Sequence, residues 1–534
     1  MKRIFSMVLC LCLLLAALPV SAKSAADAAP QSKGRILFVP HDNRPISDQQ
    51  TADTVRKLGY DVVVPPADLL GSREHLGNPD ALWDWVEKNT DKNLKAAVLS
   101  ADSLLYGSLV GSRKHTYSRG EVLSRVARFA AYNQKNPKLK TYVFASIMRT
   151  PRTGEASGTE EPSYYQSYGA DIFRYTALTD KAETDGLLPR EKKEYAFLQE
   201  LIPEEAIKDW LNRRNKNFAA SEALIDLTRQ KVFDYCVLGR DDNAPHSQTH
   251  MESRHLAKYG SDLSISQFQA MAGTDELGML MLTRAVNDLE AVVPFVYVRY
   301  NWGAGPRTVP SYSDETIEKS MRSHIVAAGG LQVSSPKRAD LVLLVNTNPS
   351  GRTYEANYPQ NNGVPREGTK YFVDMVAEAV AMNEPVGIGD IAFANGADNA
   401  LMEQLKKRGL LFKLRAYSGW NTATNSTGFV LGQGMLSGRM TDAAVDELLL
   451  TRYLDDWAYQ ANVRQTVAHQ IGWFRGSGFY ASLNEKRAPI ERRATSLMQR
   501  FVDDNLPPFD SLRAVTVTFP WNRMFEASVD PAAN

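Results

Sequence analysis

The sequence predicts an α/β fold, because short apolar runs alternate along the chain with longer segments of helical periodicity. Ten runs rich in β-branched and apolar residues end in polar clusters marked by Gly, Pro or Asn. Continuous apolar runs of this length are typical of parallel strands covered on both faces. Eight such strands could close a (β/α)8 barrel, which we favour. The alternative is two doubly wound α/β domains that meet near residues 292–302 around a cleft.

The predicted elements cover the chain from residue 35 onward. The predicted strands are residues 36–39, 62–64, 96–99, 142–147, 235–238, 268–272, 295–298, 341–345, 386–388 and 412–416. The predicted helices between them are residues 49–58, 81–87, 121–133, 277–287, 314–328, 371–382 and 401–408. We therefore expect an α/β catalytic domain over residues 34–440, with a helical insertion over residues 150–230. A helical C-terminal extension with a terminal strand follows over residues 441–534.

The first residues are typical of a secretory signal peptide. Lys2 and Arg3 precede an apolar run over residues 7–20, and the small residues Ser21 and Ala22 mark a cleavage point. The run is short for a helix that spans a membrane. We predict a signal peptide over residues 1–22, a flexible leader over residues 23–33, and a secreted or cell-envelope location. Cleavage leaves Cys236 alone, so we expect neither an internal disulfide nor a cysteine-based metal cluster.

The composition is that of an ordinary globular protein. Of 534 residues, 43% are hydrophobic and 23% are charged, which excludes disorder and a coiled coil as the main state. The 62 Lys and Arg residues nearly balance the 61 Asp and Glu residues. A near-neutral chain has no overall field to hold a polyanion, so we expect no nucleic-acid partner. We also expect no cofactor and no stable membrane insertion after cleavage.

The polar clusters at the ends of the predicted strands carry the functional information. Parallel neighbouring strands would bring these clusters to one rim, where carboxylates, amides, arginines and a tryptophan suit a neutral, polyhydroxylated ligand. Turn and helix-cap roles are the alternative for any single cluster. The candidate substrate-binding residues are Asp42, Asn43, Arg44, Asp102, Arg149, Asp241, Asp242, Asn301, Asp390, Asn395, Asp398, Trp420 and Asn421. We expect the Trp420 ring to be partly exposed, so that it can stack on a sugar.

Asp275 and Glu276 form the candidate catalytic pair. They follow a strand-like run, and a helical pattern begins at Leu277. Glycoside hydrolysis commonly uses two carboxylates, one as proton donor and one as anionic stabiliser. We expect Glu276 to be the general acid and Asp275 to orient a 2-acetamido group, as in substrate-assisted enzymes. Alternatively, Thr274 caps the helix and the two acids merely lie in its first turn.

A second cluster favours metal chemistry. His246 and His250 are four residues apart, which puts two imidazoles on one helix face, and Asp241 and Asp242 lie just before them. This arrangement resembles pieces of the signature of metal-dependent polysaccharide deacetylases. In that family the aspartates lie far upstream of the histidine motif, whereas here they are nearly contiguous. Without a metal, the histidines would be surface groups or would support neighbouring residues.

The clusters together resemble a bacterial family catalogued as domain of unknown function 4127. The resemblance covers about residues 35–450, and it rests on residues 41–45, 102–113, 240–243, 273–278, 394–400 and 419–422. Relatives in this family are similar to exo-acting β-N-acetylhexosaminidases, particularly those acting on β-linked N-acetylgalactosamine. The resemblance and the Asp-Glu pair therefore both imply a secreted glycoside hydrolase for β-linked 2-acetamido sugars. A metal-dependent carbohydrate deacetylase or hydrolase and a non-catalytic secreted sugar-binding protein are the alternatives.

The signal peptide gives the first testable prediction. Expression in a bacterial host with an intact export pathway should yield exported protein whose N-terminal sequence begins at or near Lys23, because the peptidase cuts after small residues. Edman sequencing or intact-mass measurement of the exported protein checks this. Exported protein that retains Met1, or full-length protein confined to the cytosol, would contradict the prediction.

Overall fold

The first half of the chain forms an open parallel sheet. The computed structural model describes residues 32–153, 160–472, 475, 478–506 and 514–531, so the predicted signal peptide lies outside the described residues. The strands of this sheet are β1 (Arg35–Val39), β2 (Asp61–Val63), β3 (Leu94–Ser100), β4 (Lys140–Ile147), β5 (Tyr235–Arg240) and β6 (Phe268–Ala272). They lie in the order β2-β1-β3-β4-β5-β6, and every pairing is parallel.

Helices connect these strands and cover both faces of the sheet. They are α1 (Gln49–Arg56), α2 (Pro79–Asn89), α3 (Ala101–Tyr106), α4 (Leu109–Lys114), α5 (Arg119–Lys135), α6 (Tyr165–Thr184), α7 (Pro189–Leu201), α8 (Glu204–Arg229), α9 (Gln248–Tyr259) and α10 (Leu277–Glu290). Local sequence fixes several of their starts. Helix α5 begins after Ser118, whose hydroxyl accepts from the Glu121 N–H while the Glu121 carboxylate accepts from the Ser118 N–H.

The second half of the chain forms another parallel sheet. Its strands and a small neighbouring pair are β7 (Phe295–Tyr300), β8 (Leu331–Val333), β9 (Leu341–Asn346), β10 (Tyr354–Glu355), β11 (Val386–Asp390), β12 (Phe393–Ala394) and β13 (Ala416–Ser418). The sheet has the order β13-β11-β9-β7-β8, and β10 pairs with β12 beside it. The helices of this half are α11 (Ile317–Ala327), α12 (Glu367–Ala381), α13 (Asn399–Lys407) and α14 (Ala423–Ser437).

The last part of the chain packs against the second sheet and returns to the first. It comprises α15 (Asp442–Arg452), a π-helical segment (Tyr453–Val463), α16 (Arg464–Gln470), α17 (Arg487–Asn505), and the antiparallel strands β14 (Val515–Thr518) and β15 (Ser528–Pro531). The loop between β14 and β15 reaches the carboxyl end of β1, where Trp521 Nε1 donates to Asn43 Oδ1 at 2.7 Å. Within the described residues, no helix is both long and apolar enough to cross a membrane.

The two large sheets are both open, so the predicted barrel is wrong and the arrangement resembles Rossmann-like α/β domains. In each sheet the second strand, β2 or β8, takes an edge, and the chain then crosses to the other side of the first strand. The strand order therefore reverses between β1 and β3 and again between β7 and β9. Such switch points open a crevice at the carboxyl ends of the strands. The predicted strand over residues 412–416 is also misplaced, because Leu411–Lys413 is a 3-10 turn and β13 starts at Ala416.

The apolar strand runs are buried on both faces, as the sequence indicates. Along β1, Ile36 and Phe38 belong to one core cluster, whereas Leu37 and Val39 belong to another on the opposite face. The first cluster also takes residues from the second sheet, such as Leu341. A single apolar core therefore lies between the two sheets and joins them.

Helices α10 and α14 form the centre of this shared core, and glycines let them approach closely. A Cβ atom on Gly432 would lie 2.8 Å from Met279 Cγ of α10, and a Cβ atom on Gly434 would lie 2.7 Å from Leu341 of β9. A Cβ atom on Gly428 would lie 2.4 Å from Glu276 Cγ and 2.7 Å from its Cβ. The glycines of α14 therefore set the spacing between the two sheets.

This spacing can be tested with a matched pair of substitutions. Gly428→Ala should lower the free energy of unfolding by about 1–3 kcal/mol, because its new methyl group must displace the first atoms of the Glu276 side chain. Gly438→Ala, at the end of the same helix, places its methyl group where no atom lies within 4 Å. That control should be neutral or stabilising by about 0.4–1 kcal/mol. Guanidinium unfolding of both variants checks the contrast, and equal effects would contradict it.

Candidate functional site

The first switch point contains a buried histidine–aspartate pair. His41 Nδ1 lies 3.0 Å from Asp102 Oδ2 and 3.0 Å from the Ser100 hydroxyl oxygen. Asp102 also accepts a 2.8 Å hydrogen bond from the Ser146 backbone N–H of β4. Burial lowers the pKa of His41, but the hydrogen bond and charge of Asp102 together raise it by a larger amount. The net pKa therefore lies above the ordinary 6.5. The pair therefore favours an imidazolium.

Arg44 links the ends of β1 and β6, which are not neighbours in the sheet. Its guanidinium donates to Asp275 through Nη1 at 3.1 Å and Nη2 at 2.7 Å. It also donates to Asp42 through Nε at 2.9 Å and Nη2 at 2.8 Å. All three side chains are buried. Two of the predicted strand-end clusters thus meet in one bidentate interaction.

Residues that follow β13 of the second sheet complete this cluster. Asn421 Nδ2 donates to Asp275 Oδ2 at 2.9 Å, and Asn425 Nδ2 lies 3.4 Å from the same oxygen. Burial raises the pKa of Asp275, but the Arg44 charge and hydrogen bonds lower it by a larger amount. The net pKa is lowered, so the carboxyl is ionised. We call this cluster, in which the two sheets meet, the Asp275 junction, and its members are Asp42, Arg44, Asp275, Asn421 and Asn425.

Glu276 lies behind the junction, in the core. Its side chain is fully buried, and Oε1 lies 3.2 Å from His324 Nε2. A Cβ atom on Gly273 would approach Oε1 to 1.7 Å, so backbone closely covers the carboxyl. Burial lowers the pKa of His324, but the Glu276 hydrogen bond and charge together raise it by a larger amount, so the net pKa lies above 6.5. The expectation that Glu276 faces a substrate is therefore wrong, because an enclosed carboxyl has no path to a leaving oxygen.

A group of arginines surrounds Glu160 beside the junction. Glu160 Oε2 accepts from Arg113 Nη1 at 3.0 Å and from Arg149 Nη2 at 3.2 Å, and Oε1 accepts from Arg523 Nη1. Arg113 also donates to Asp241 Oδ2 at 2.5 Å. We call Arg113, Arg149, Arg523 and Glu160 the arginine cluster. Sequence reasoning missed most of its members, because only Arg149 follows a predicted strand.

Asp242 is the accessible acid of this region. Its side chain is 36% exposed, and its Oδ2 lies 3.3 Å from Arg149 Nη1. Loss of hydration and the neighbouring Asp241 charge raise the pKa of Asp242 to about 6, although Arg149 and Arg113 act in the opposite direction. Asp275 contributes to the rise as well. Asp242 is therefore half protonated near pH 6.

The two histidines of the alternative metal site both face Asp180, but its two aspartates do not join them. His250 Nδ1 lies 2.6 Å from Asp180 Oδ2, and His246 Nε2 lies 3.2 Å from Asp185 Oδ2, both on the α6 side. Asp241 and Asp242 instead pair with the arginine cluster. Among the described residues, no group of three or more His, Cys, Asp and Glu side chains has metal-binding geometry. The predicted four-residue metal set is therefore wrong.

The second switch point holds a closed polar network. Asn301 Nδ2 donates to Asn346 Oδ1 at 3.0 Å, and Asn346 Nδ2 donates to Asp390 Oδ1 at 2.9 Å. Burial and the Asp398 charge raise the pKa of Asp390 to about 7. Asp398 also caps α13 by accepting from the Ala400 N–H at 3.1 Å. Asn301, Asp390 and Asp398 are thus buried against one another, as the cap and turn interpretation predicts.

Tryptophans at the site differ from the sequence expectation. Trp420 is only 2% exposed, and its ring packs against Phe525 with centroids 5.7 Å apart. The expectation of a partly exposed Trp420 ring is therefore wrong. Trp521, which sequence reasoning missed, lies at the site instead, with the Arg44 and Arg523 guanidiniums 5.1 Å and 5.2 Å from its ring centroid.

The site residues form a continuous ring of contacts that crosses both sheets. Each member touches the next through a hydrogen bond, an ion pair, a cation–π contact or the chain itself. In order, the ring runs through Asp242, Arg149, Glu160, Arg523, Trp521, Arg44, Asp275, Asn421, Asn395, Glu355, Tyr312 and Asn243. Among the predicted substrate-binding residues, the partly exposed ones are Asn43, Arg149, Asp242, Asn395 and Asn421.

Comparison with known proteins identifies the family. The family model described as "Protein of unknown function (DUF4127)" matches residues 36–530. The chain belongs to this family. The match confirms the family resemblance seen in the sequence and extends it through the loop that carries Trp521 and Arg523. The searches of curated proteins and of solved structures give no match, and the similarity to hexosaminidases has no support from these comparisons.

The His41–Asp102 pair predicts a pH-dependent stability. A pKa raised on folding stabilises the protein fully below the unfolded value of about 6.5, and this stabilisation is lost as pH rises through the folded pKa. Asp102→Asn should therefore destabilise the protein more at pH 5.5 than at pH 9. NMR titration should also show that the His41 pKa falls, because the hydrogen bond and charge of Asp102 are the largest effects that raise it and the charges of Asp42 and Asp275 contribute less.

His115 provides the internal control in the same titration. Burial lowers its pKa to about 4, and its Nε2 lies 2.8 Å from Asn217 Oδ1, away from Asp102. Asp102→Asn should leave the His115 pKa unchanged. An unchanged His41 pKa in the variant, or a destabilisation that is equal at both pH values, would contradict the role of Asp102.

Proposed function

We propose that this protein is a secreted glycoside hydrolase that acts on β-linked 2-acetamido sugars. The observation that carries the proposal is a pair of unlike carboxyls at the ends of the neighbouring strands β5 and β6, close enough for the Asp275 charge to raise the pKa of Asp242. Asp242 is accessible and its pKa is raised to about 6, whereas Asp275 is held ionised by Arg44. Hydrolysis of a glycosidic bond uses a proton donor and an anion, and environments that push two carboxyl pKa values apart assign these roles.

Asp242 is the proton donor in this proposal. A general acid must be protonated near the working pH and must reach the leaving oxygen. Asp242 meets both conditions, since its side chain is 36% exposed. Arg149 contacts its carboxylate and would stabilise the charge that remains after the proton has left. In this proposal the general acid is therefore Asp242, one of the strand-end acids, and not Glu276 as expected from the sequence.

Asp275 is the fixed anion that orients the 2-acetamido group. Arg44 holds both of its oxygens, and Asn421 and Asn425 contact Oδ2, so the carboxylate has little freedom to turn. A carboxylate fixed in this way accepts the acetamido N–H and aims the acetamido oxygen at the anomeric carbon. The partly exposed amides of Asn43 and Asn395 would bind sugar hydroxyls nearby.

The proposal predicts how two variants respond to the leaving group. The assay uses the mature chain and β-linked N-acetylhexosaminides with alkyl or nitrophenyl leaving groups. Asp242→Asn should slow the alkyl substrates by about 10²–10⁴-fold and the nitrophenyl substrates much less, because a good leaving group needs little protonation. It should also remove the decline in rate above about pH 6. Asp275→Asn should slow both substrates, since its role lies with the nucleophile.

Controls distinguish catalysis by these two aspartates from the metal-dependent and non-catalytic alternatives. Asp185→Asn removes an exposed acid, on the α6 side near His246, and should leave the rate unchanged. Sugars that lack the 2-acetamido group should react poorly with the wild type. Activity that chelators abolish and zinc restores would favour the metal-dependent alternative. Tight sugar binding without turnover on any substrate would favour the non-catalytic binding protein, and equal small losses for both variants would exclude the assigned roles.

A further inference from the structure

Arg73 is a buried arginine whose hydrogen-bond donors are not satisfied. It lies in the loop between β2 and α2 and is 7% exposed, yet its Nε and Nη1 atoms have no hydrogen-bond partner in the part of the chain that the structure describes. Burial lowers its pKa, and the neighbouring Arg523 charge lowers it further. Glu160, Glu74 and Glu526 act in the opposite direction without restoring it. A buried, unsatisfied guanidinium is costly, so this position requires an acceptor that the described residues do not supply.

The arginine cluster next to Arg73 has more guanidiniums than Glu160 can satisfy alone. Three guanidiniums share this one carboxylate, through Arg113, Arg149 and Arg523. Arg523 also pairs with Glu526, so that residue is already engaged. Burial lowers the pKa of nearby Lys114, and the Arg73 charge lowers it as well, against the effect of Glu161 and Glu160. Arg113 and Arg149 also pair with Asp241 and Glu161, so each guanidinium of the cluster shares more than one carboxylate. Two nitrogens of Arg73, in contrast, have no hydrogen-bond partner among the described residues.

The backbone holds Arg73 in place before any ligand binds. The Asn43 N–H donates to the Gly71 carbonyl at 3.0 Å, which ties the loop to the end of β1. A Cβ atom on Gly71 would lie 2.2 Å from Ser108 Cβ, and one on Gly77, at φ +82°, would lie 2.3 Å from the Gly107 carbonyl oxygen. Only glycines at these two positions permit such a close approach of the loop to its neighbours. The Arg73 loop is therefore fixed against the turn between α3 and α4.

We infer that Arg73 binds an anionic substituent of the substrate, a sulfate, phosphate or carboxylate group on the sugar. A guanidinium presents paired N–H donors that match the oxygens of these groups. The unpaired donors of Arg73 supply the charge and the hydrogen bonds, and Asn43 connects the loop to the Asp275 junction. This inference rests on the proposed function and narrows its substrate class to acidic amino sugars.

Binding of simple probes tests the inference without turnover. Calorimetry of the mature chain should detect inorganic sulfate or phosphate, and N-acetylglucosamine 6-sulfate should bind more tightly than N-acetylglucosamine. Arg73→Gln should weaken binding of the anions by about tenfold or more and leave the neutral sugar unaffected. Arg73→Lys should retain part of the affinity for the anions, because lysine keeps the positive charge but lacks the paired N–H donors of the guanidinium. Arg500 is exposed, so Arg500→Gln is the matched control and should bind as the wild type does.

The outcomes are distinguishable from those of the hydrolase assay. Arg73-dependent anion binding in a protein with no hydrolytic activity would support this site and contradict the proposed function. Hydrolysis of neutral and acidic sugars at equal rates, with anion affinity unchanged in Arg73→Gln, would overturn this site and leave the proposed function intact. If Arg73→Gln does not fold, Arg73→Lys decides, and wild-type affinity in that variant contradicts the bidentate role.

Discussion

The buried interaction between Arg44 and Asp275 is the constraint on which the site depends. It connects the loop after β1 to the loop after β6, and Asn421 extends it to the second sheet. Removing one partner of a buried ion pair leaves an uncompensated charge, which costs about 3–5 kcal/mol. The same interaction keeps Asp275 ionised and aimed. The Arg44–Asp275 contact therefore fixes the charge of the central carboxylate, and the Asn421 hydrogen bond connects that carboxylate to the second sheet.

The sequence predicts the elements better than their assembly. Apolar runs such as that of β1 correctly indicate parallel strands buried on both faces, because each face must pack against helices. The choice between a barrel and two open sheets depends on where β2 and β8 pair, and the local pattern is the same in either case. The short strand β13 was misplaced because Phe412 is as apolar as a strand residue, although it lies in a 3-10 turn.

Strand-end reasoning brought Asp42, Asp275 and Asn421 together correctly, because parallel strands in both sheets end near one another. It failed for Glu276, since neighbouring residues at the start of a helix point in different directions. Asp275 meets Arg44, whereas Glu276 lies in the core against His324. It also missed Arg73 and Arg523. Both lie in loops whose positions depend on tertiary contacts, and no periodic pattern in the sequence marks them.

The loop between β14 and β15 has a consequence for biosynthesis. Arg523 contacts Glu160 from 363 positions further along the chain, and Trp521 lies over Arg44. A growing polypeptide can pair the six strands of its first sheet long before this loop has left the ribosome. Until the loop docks, Glu160 lacks one of its three guanidiniums. Synthesis order thus delays completion of the cleft, so that a partly made chain carries the scaffold without the finished site.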